Sequence, residues 1–191
     1  MPKIVATKED WIEKGVAYFA SGGVEALAIE RMARELGCSK SSFYWYFGNR
    51  EEFIESIIYD WAVRTTERVI SQSVTEEPID DQIKQALHAL FADAGDDDFR
   101  LHLRKLGREV PPYATLLTAL EAKQMDFIRS LLQERGESAA IARHKASVIY
   151  HFYLGWHERY KYRADSGVAA EDPIETLLLT VVGLREPLYR A

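Results

Sequence analysis

Residues 40 to 50 concentrate side chains that can bond a nucleic acid: Lys40, Ser41, Ser42, Tyr44, Trp45, Tyr46 and Arg50, with Phe43 and Phe47 between them. Serine and tyrosine hydroxyls bond phosphate oxygens, lysine bonds phosphates or guanine edges, and aromatic rings touch thymine methyls. On a helix, Phe43 and Phe47 stand at i and i+4 and share one face, the natural core side. Lys40 with Tyr44, Ser41 with Trp45 and Ser42 with Tyr46 take the other faces. Three consecutive aromatics sweep about 200° at 100° per residue, so they cannot all be buried in so short an element. An exposed aromatic and hydroxyl face is costly unless a partner covers it, and duplex DNA fits that chemistry. The competing reading packs Tyr44, Trp45 and Tyr46 on the first helix. Arg50 opens the next helix, where free N–H groups and the dipole favour a phosphate that a guanidinium can also clamp. Its plain alternative is a surface arginine paired with Glu51 or Glu55.

The elements that must position these residues are helices. The periodicity is helical almost throughout, with no convincing strand and no internal repeat. Thr7 and Asp10 form a variant capping box ahead of a first helix whose stripe is Trp11, Gly15 and Phe19, stopped at Gly22-Gly23. A second short helix carries Ile29, Met32, Ala33 and Leu36 and ends at Gly37. After the turn Gly37-Cys38-Ser39, the Ser39 hydroxyl is expected to cap a third helix, Lys40 to Phe47. Two short helices around a tight turn have the size of a helix-turn-helix, whose second helix enters the major groove. An ordinary helical hairpin has the same size. Asn49 and Glu52 signal the start of a long helix from about Arg50 to about Ser73.

Five further helices follow: Pro78 to Ala94; one opened by Asp96-Asp97-Asp98 and closed by Arg104, Lys105 and Arg108; Pro111-Pro112 to near Gly136; Ser138 to Tyr162; and a last one from the cap pair Asp172-Pro173 through Leu188. Arg100, Arg104 and Arg108 are expected to line a solvated face.

The 191 residues fit one domain or two small ones. The net charge of −6 argues at first against a nucleic-acid partner. It is unevenly spread: residues 1–50 hold seven cations against six anions, and the acidic excess lies beyond them. One cysteine, Cys38, excludes an intramolecular disulfide and a cysteine-based zinc site. With no membrane-length apolar run and no signal-peptide pattern, a cytoplasmic protein is expected. No HExxH, GxSxG, P-loop or GxGxxG motif is present, so no enzyme activity, cofactor or metal is expected. Asp98 and His102 stand at i and i+4, but two ligands from one helix do not make a metal site.

Trp11 to Phe19, Gly23 and then Ile29 to Ile58 together resemble the N-terminal DNA-binding domain of TetR-family transcriptional regulators. The core of the likeness is Ala33, Gly37, Ser39-Lys40, Phe43-Tyr44, Phe47 and Arg50 followed by Glu52-Phe53. The resemblance implies an all-α protein: a three-helix helix-turn-helix domain over residues 1–49, joined by a long helix to a helical ligand-binding and dimerisation domain over 50–191. It implies a homodimer, paired through the last two helices, that grips a palindromic duplex operator, usually as a repressor released by a small-molecule effector. Lys40, Ser41, Tyr44, Trp45 and Tyr46 would face bases and phosphates, with Ser42 and Arg50 on the backbone. Two positions depart from the family's pattern. Ala28 stands where a capping Ser or Thr is common. Glu30 stands where some relatives carry a base-reading arginine, and it can accept from cytosine N4 or stay out of the groove.

Ligand sites are mostly apolar with a few placed polar groups. Candidates for an effector site are Trp61, Thr65, Phe91, His102, Tyr113, Gln124, Phe127, His151 and Phe152, each with a plain reading as core packing. The alternative function is an all-helical ligand-binding or interaction protein without operator binding.

Overall fold

The computed structural model describes residues 6–71, 76–91, 97–160 and 172–184. Described elements are helical: α1 (Lys8–Gly22), a 3-10 turn (Gly23–Ala26), α2 (Ile29–Glu35), α3 (Lys40–Tyr46), α4 (Arg50–Ser71), α5 (Ile79–Phe91), α6 (Asp97–Glu109), α7 (Pro111–Glu134), α8 (Ala139–Tyr160) and α9 (Pro173–Leu177). Among the described residues no helix is long and apolar enough to cross a membrane. The expected ends at Ser73, Ala94, Asp96, Tyr162 and Leu188 lie outside the described residues. Packing divides the chain into two compact units, one of Met1–Thr65 with Asp96–Thr118, the other of Thr66–Gly95 with Ala119–Ala191. None of the three boundaries falls at residue 50.

The first unit is built on α1. Thr7 Oγ1 accepts from the Asp10 N–H at 3.1 Å, and Asp10 Oδ2 accepts from the Thr7 N–H at 2.7 Å, so the capping box forms. Trp11, Gly15 and Phe19 are buried, as their spacing requires. Gly15 is the close-approach point: a Cβ there would lie 2.6 Å from Ile57 and from the Phe53 ring. At the other end Gly23 takes φ +67°, and a Cβ there would meet His102 at 2.9 Å. Both a side chain's steric demand and L-residue geometry therefore oppose substitution at Gly23.

Trp11, Phe43, Phe47 and Phe53 form the aromatic centre of the head. Phe43 lies edge-on to Trp11 at 5.3 Å and to Phe53 at 5.1 Å, and Phe47 lies 4.8 Å from Phe53. Edge-on pairs add about 0.5–1.5 kcal/mol each beyond their buried area. A second aromatic row runs through the same unit. Phe99 on α6 lies 4.4 Å from Phe19 and stacks on Trp61 at 4.5 Å. Arg100 sits 5.2 Å over the Trp61 ring and is only 5% exposed, which corrects the expected solvated stripe for that arginine. Arg104 and Arg108 are exposed as expected. The reason is register: Phe99 and Leu103 must be buried, and Arg100 beside them goes inside with its guanidinium on an indole face.

The second unit packs α5, the rest of α7, α8 and α9 around Ile83, Leu87, Leu90, Leu131, Leu132, Ile149, Tyr150, Tyr153 and Leu177. Arg135 ties three of its segments together, bonding Asp80 at 2.7 Å and the Val182 carbonyl at 2.8 Å. Asp172 caps α9 through the Ile174 N–H at 2.9 Å, with Pro173 at the first position. The last helix departs from expectation. After Leu177 it widens into a π turn, Leu178–Val182, and Gly183 ends it at φ +76°, with the Leu184 N–H bonded to the Leu178 carbonyl at 2.9 Å. A glycine in the left-handed region is a common helix stop.

Candidate nucleic-acid interface

The helix-turn-helix is α2, the turn Gly37–Ser39, and α3. Gly37 carries the turn at φ +67°, and the Cys38 N–H returns to the Ala33 carbonyl at 3.0 Å. α2 and α3 pack on each other, and α2 also packs on α1. The hold on α1 is polar: Glu35 accepts from Tyr18 at 2.6 Å, Arg31 at 3.2 Å and Lys14 at 3.3 Å. The Tyr18 hydroxyl, then the two cations, keep the Glu35 carboxyl below the ordinary glutamate range, and the same bond raises the Tyr18 phenol.

The five aromatics of α3 and its C-terminal cap divide into two sets. Phe43 and Phe47 are buried, while Tyr44 is 52% and Trp45 83% exposed. Tyr46 is half-buried. The Tyr44 ring leans edge-on against Phe43 at 5.2 Å, so the exposed face is braced by the core face. The reading in which all three consecutive rings pack on α1 does not hold. Lys40 and Ser41 are exposed beside Tyr44 and Trp45. Ser42 is half-buried, and its Oγ accepts from Trp11 Nε1 at 3.4 Å, which leaves its own proton to donate.

Two local details differ from expectation. Ser39 occupies the cap position of α3, but its hydroxyl makes no capping bond and lies 2.7 Å from Ser41 Oγ instead. Arg50 pairs with neither Glu51 nor Glu55; its Nη2 donates to the Val24 carbonyl at 2.6 Å. That bond reaches back to the 3-10 turn, a partner twenty-six residues away that no local pattern points to. α2 begins at Ala28 without a side-chain cap, as an alanine at that position implies. Asn49 and Glu52 do start α4: Asn49 Oδ1 accepts from the Glu52 N–H at 2.8 Å, and Glu52 Oε2 from the Gly48 N–H at 3.0 Å. Glu30 and Lys40 form an ion pair between α2 and α3, ten residues apart, that no helix-surface spacing points to.

The effector candidates fall into two groups. In the first unit Trp61 and Thr65 are almost fully buried, and neither Trp61 Nε1 nor Thr65 Oγ1 has a hydrogen-bond partner among the described residues. His102 packs edge-on to Phe19 at 6.1 Å. Tyr113 is partly buried, and burial, then Glu55 and Glu51, raise its phenol above the ordinary range. In the second unit Gln124 is buried, and neither of its amide atoms has a hydrogen-bond partner among the described residues. Phe91 lies 6.4 Å from Phe152 and 5.4 Å from both Tyr153 and Trp156. Phe127 and Phe152 pack on the core as half-buried rings. His151 is exposed, its Nδ1 2.7 Å from the Ser147 carbonyl of its own helix. Among the described residues no group of three or more potential metal ligands is found.

No curated protein matches the sequence. Residues 12–57 match the family of bacterial regulatory proteins, tetR family. The fold is shared with solved regulators of low sequence identity. A transcriptional regulator from Rhodococcus sp. Rha1 aligns at TM-score 0.73 and 14% identity, over 93% of this chain and 95% of that one. A TetR-like regulator from the same source gives 0.67 and 14% over 93% of each chain. FadR from Bacillus subtilis, solved in complex with stearoyl-CoA, gives 0.63 and 17% over 94% of this chain and all of that one. Residues 12–57, over α1 to α4, thus match the head of the tetR family of bacterial regulatory proteins, and the chain as a whole shares the all-helical fold of the solved regulators.

Proposed function

We propose that the protein is a ligand-responsive repressor that binds a palindromic duplex operator as a homodimer, with α3 in the major groove and a small molecule releasing it. The observation that carries the reading is the exposed face of α3. Trp45 and Tyr44 stand in solvent beside Lys40 and Ser41, opposite a face fully occupied by Phe43 and Phe47. Lys40, Ser41, Tyr44, Trp45 and Tyr46 approach bases and phosphates. Ser42, with one proton to donate, and Arg50, with guanidinium N–H groups beyond the one given to Val24, hold the backbone. A domain over residues 1–49 then does the reading, and residues 50–191 do the sensing and pairing, with the last two helices at the two-fold.

The effector is sought among the interior polar groups. Buried polar atoms are almost always bonded, so Trp61 Nε1, Thr65 Oγ1 and Gln124 are places where a ligand's polar atoms compensate a cost already present. Phe91, His102, Tyr113, Phe127, His151 and Phe152 complete the candidate set. The stearoyl-CoA complex of the similar FadR supports a long apolar effector. α4 is one unbroken helix of about 33 Å, with the head's Arg50 at its start and Trp61 and Thr65 along it. A ligand that prefers the tilt of α4 incompatible with DNA shifts the equilibrium only by its differential affinity for the two forms. Paired recognition helices must stand about 34 Å apart, one turn of DNA, or a multiple, so a small tilt suffices.

Selection of bound duplex from a random pool tests the reading. A palindrome with half-sites one turn or a multiple apart is expected. Recovery of unrelated sequences, with binding unchanged in Trp45→Ala, overturns it in favour of a helical ligand-binding protein without an operator.

A further inference from the structure

At the edge of the helix-turn-helix a cation and an anion stand side by side. Lys40 is the first residue of α3, and Glu30 lies in the first turn of α2. Their side chains form an ion pair while remaining 47% and 66% exposed. Glu30 has Arg34 one helical turn along, the usual place for a helix-surface pair. The pair it makes instead crosses the turn to the recognition helix. Among the described residues neither partner has another ion pair. The other carboxylate of α2, Glu35, does scaffolding work by bonding Lys14 and Tyr18 of α1. Glu30 holds nothing of α1; its side chain goes to a residue of the candidate interface.

An exposed ion pair adds little to stability, because water and salt screen it and two long side chains lose freedom. Its consequence for DNA is larger. Attraction to arbitrary duplex is charge against phosphate, with each neutralised phosphate contributing to a linear salt dependence. A lysine in contact with a carboxylate offers the phosphate row almost no net charge. The head has few charges to spare, seven cations against six anions over residues 1–50. A base edge differs from a phosphate row. In the major groove a G·C pair shows two acceptors, N7 and O6, beside the N4 donor of cytosine. A touching ammonium and carboxylate present the complement, a donor beside an acceptor.

We infer that Glu30 is a specificity-determining residue: it holds and neutralises Lys40, suppresses binding to arbitrary duplex, and releases the pair to a base edge that offers acceptors beside a donor. The inference rests on reading α3 as a DNA-recognition helix.

The test uses the full chain in four forms: unchanged, Glu30→Gln, Lys40→Met and the double variant. Binding to the selected operator and to random duplex of equal length is followed by fluorescence anisotropy from 50 to 200 mM salt. Glu30→Gln is expected to bind random duplex more tightly, with a slope of log affinity against log salt steeper by about 0.9 per head, or about threefold more loss per head across that range. The ratio of operator to random affinity is expected to fall about fivefold or more, the low end of one lost base contact. Lys40→Met leaves Glu30 facing DNA alone, so operator binding weakens, and adding Glu30→Gln restores part of it. Unchanged random-duplex affinity and slope in Glu30→Gln overturn the inference while leaving the operator reading intact. So does a parallel loss of operator and random binding with a lowered melting temperature, the signature of a structural staple. Failure of the unchanged protein to bind any duplex overturns both.

Discussion

Two helices of this protein are rich in aromatics and use them in opposite ways. α3 carries Phe43, Tyr44, Trp45 and Tyr46 in seven residues, buries only Phe43, and leaves Trp45 83% exposed. α8 carries Tyr150, Phe152, Tyr153 and Trp156, buries both tyrosines, and packs Phe152 and Trp156 on the core. Composition is similar, so composition does not decide. What decides is how much partner surface each helix has. α8 spans twenty-two residues, and its rings meet α5 through Phe91 and α9 through the shared core. α3 spans seven, and its inner face is filled by Phe43, with Phe47 just beyond its end. Aromatic surface in excess of available core is left for a partner, and that excess marks the candidate interface.

The comparison breaks most visibly at the buried ring of α3. Phe43→Ala removes the residue on which Trp11, Phe53 and Tyr44 all pack, and is expected to cost about 3–5 kcal/mol. Urea unfolding followed by tryptophan fluorescence measures it. A cost below 1 kcal/mol would mean that the head does not depend on this face. The same substitution at one tryptophan in each helix is the sharper test. Trp156→Ala is expected to lower stability by about 2 kcal/mol, since the ring packs on Phe91 and the core. Trp45→Ala is expected to change stability by less than about 0.5 kcal/mol. Its effect falls on operator affinity, about thirtyfold or about 2 kcal/mol, as for a central aromatic anchor. Reversal of the two outcomes would show that exposure does not separate recognition from packing here.

The smallest effect concerns the scaffold behind α3. Glu35 titrates below its ordinary value because of Tyr18, Lys14 and Arg31. A carboxyl lowered on folding contributes stability that is present above its unfolded value and lost as pH falls through its folded value. The head of Glu35→Gln is therefore expected to be slightly less stable than wild type at neutral pH, with the two converging below about pH 4. Parallel curves across that range would show that Glu35 does not tie α1 to α2.

Much of this was legible along the chain. The face division of α3 follows from i, i+4 spacing and from the impossibility of burying three consecutive rings. The Thr7 and Asn49 starts and the Gly37 turn follow from local bonding and backbone geometry. The features not legible join residues distant in sequence. Arg50 bonds the Val24 carbonyl, Lys40 bonds Glu30, and Arg100 lies on Trp61. An arginine stripe at 100, 104 and 108 reads as solvated until Phe99 and Leu103 fix the rotation of α6. Ser39 reads as a capping residue, yet its hydroxyl has a competing partner in Ser41.

The sequence by itself determined which segments are helical, where the helix-turn-helix lies, and that aromatic surface on α3 must be left over. These depend on periodicity, capping and geometry within about a turn or two of helix, which are local. Only the tertiary structure decided which polar groups meet. It paired Glu30 with Lys40, drew Arg100 inside, and buried Trp61, Thr65 and Gln124 without hydrogen-bond partners among the described residues. The reason is physical: hydrogen bonds and ion pairs act over a few ångströms, and which distant side chains come that close is set by helix packing.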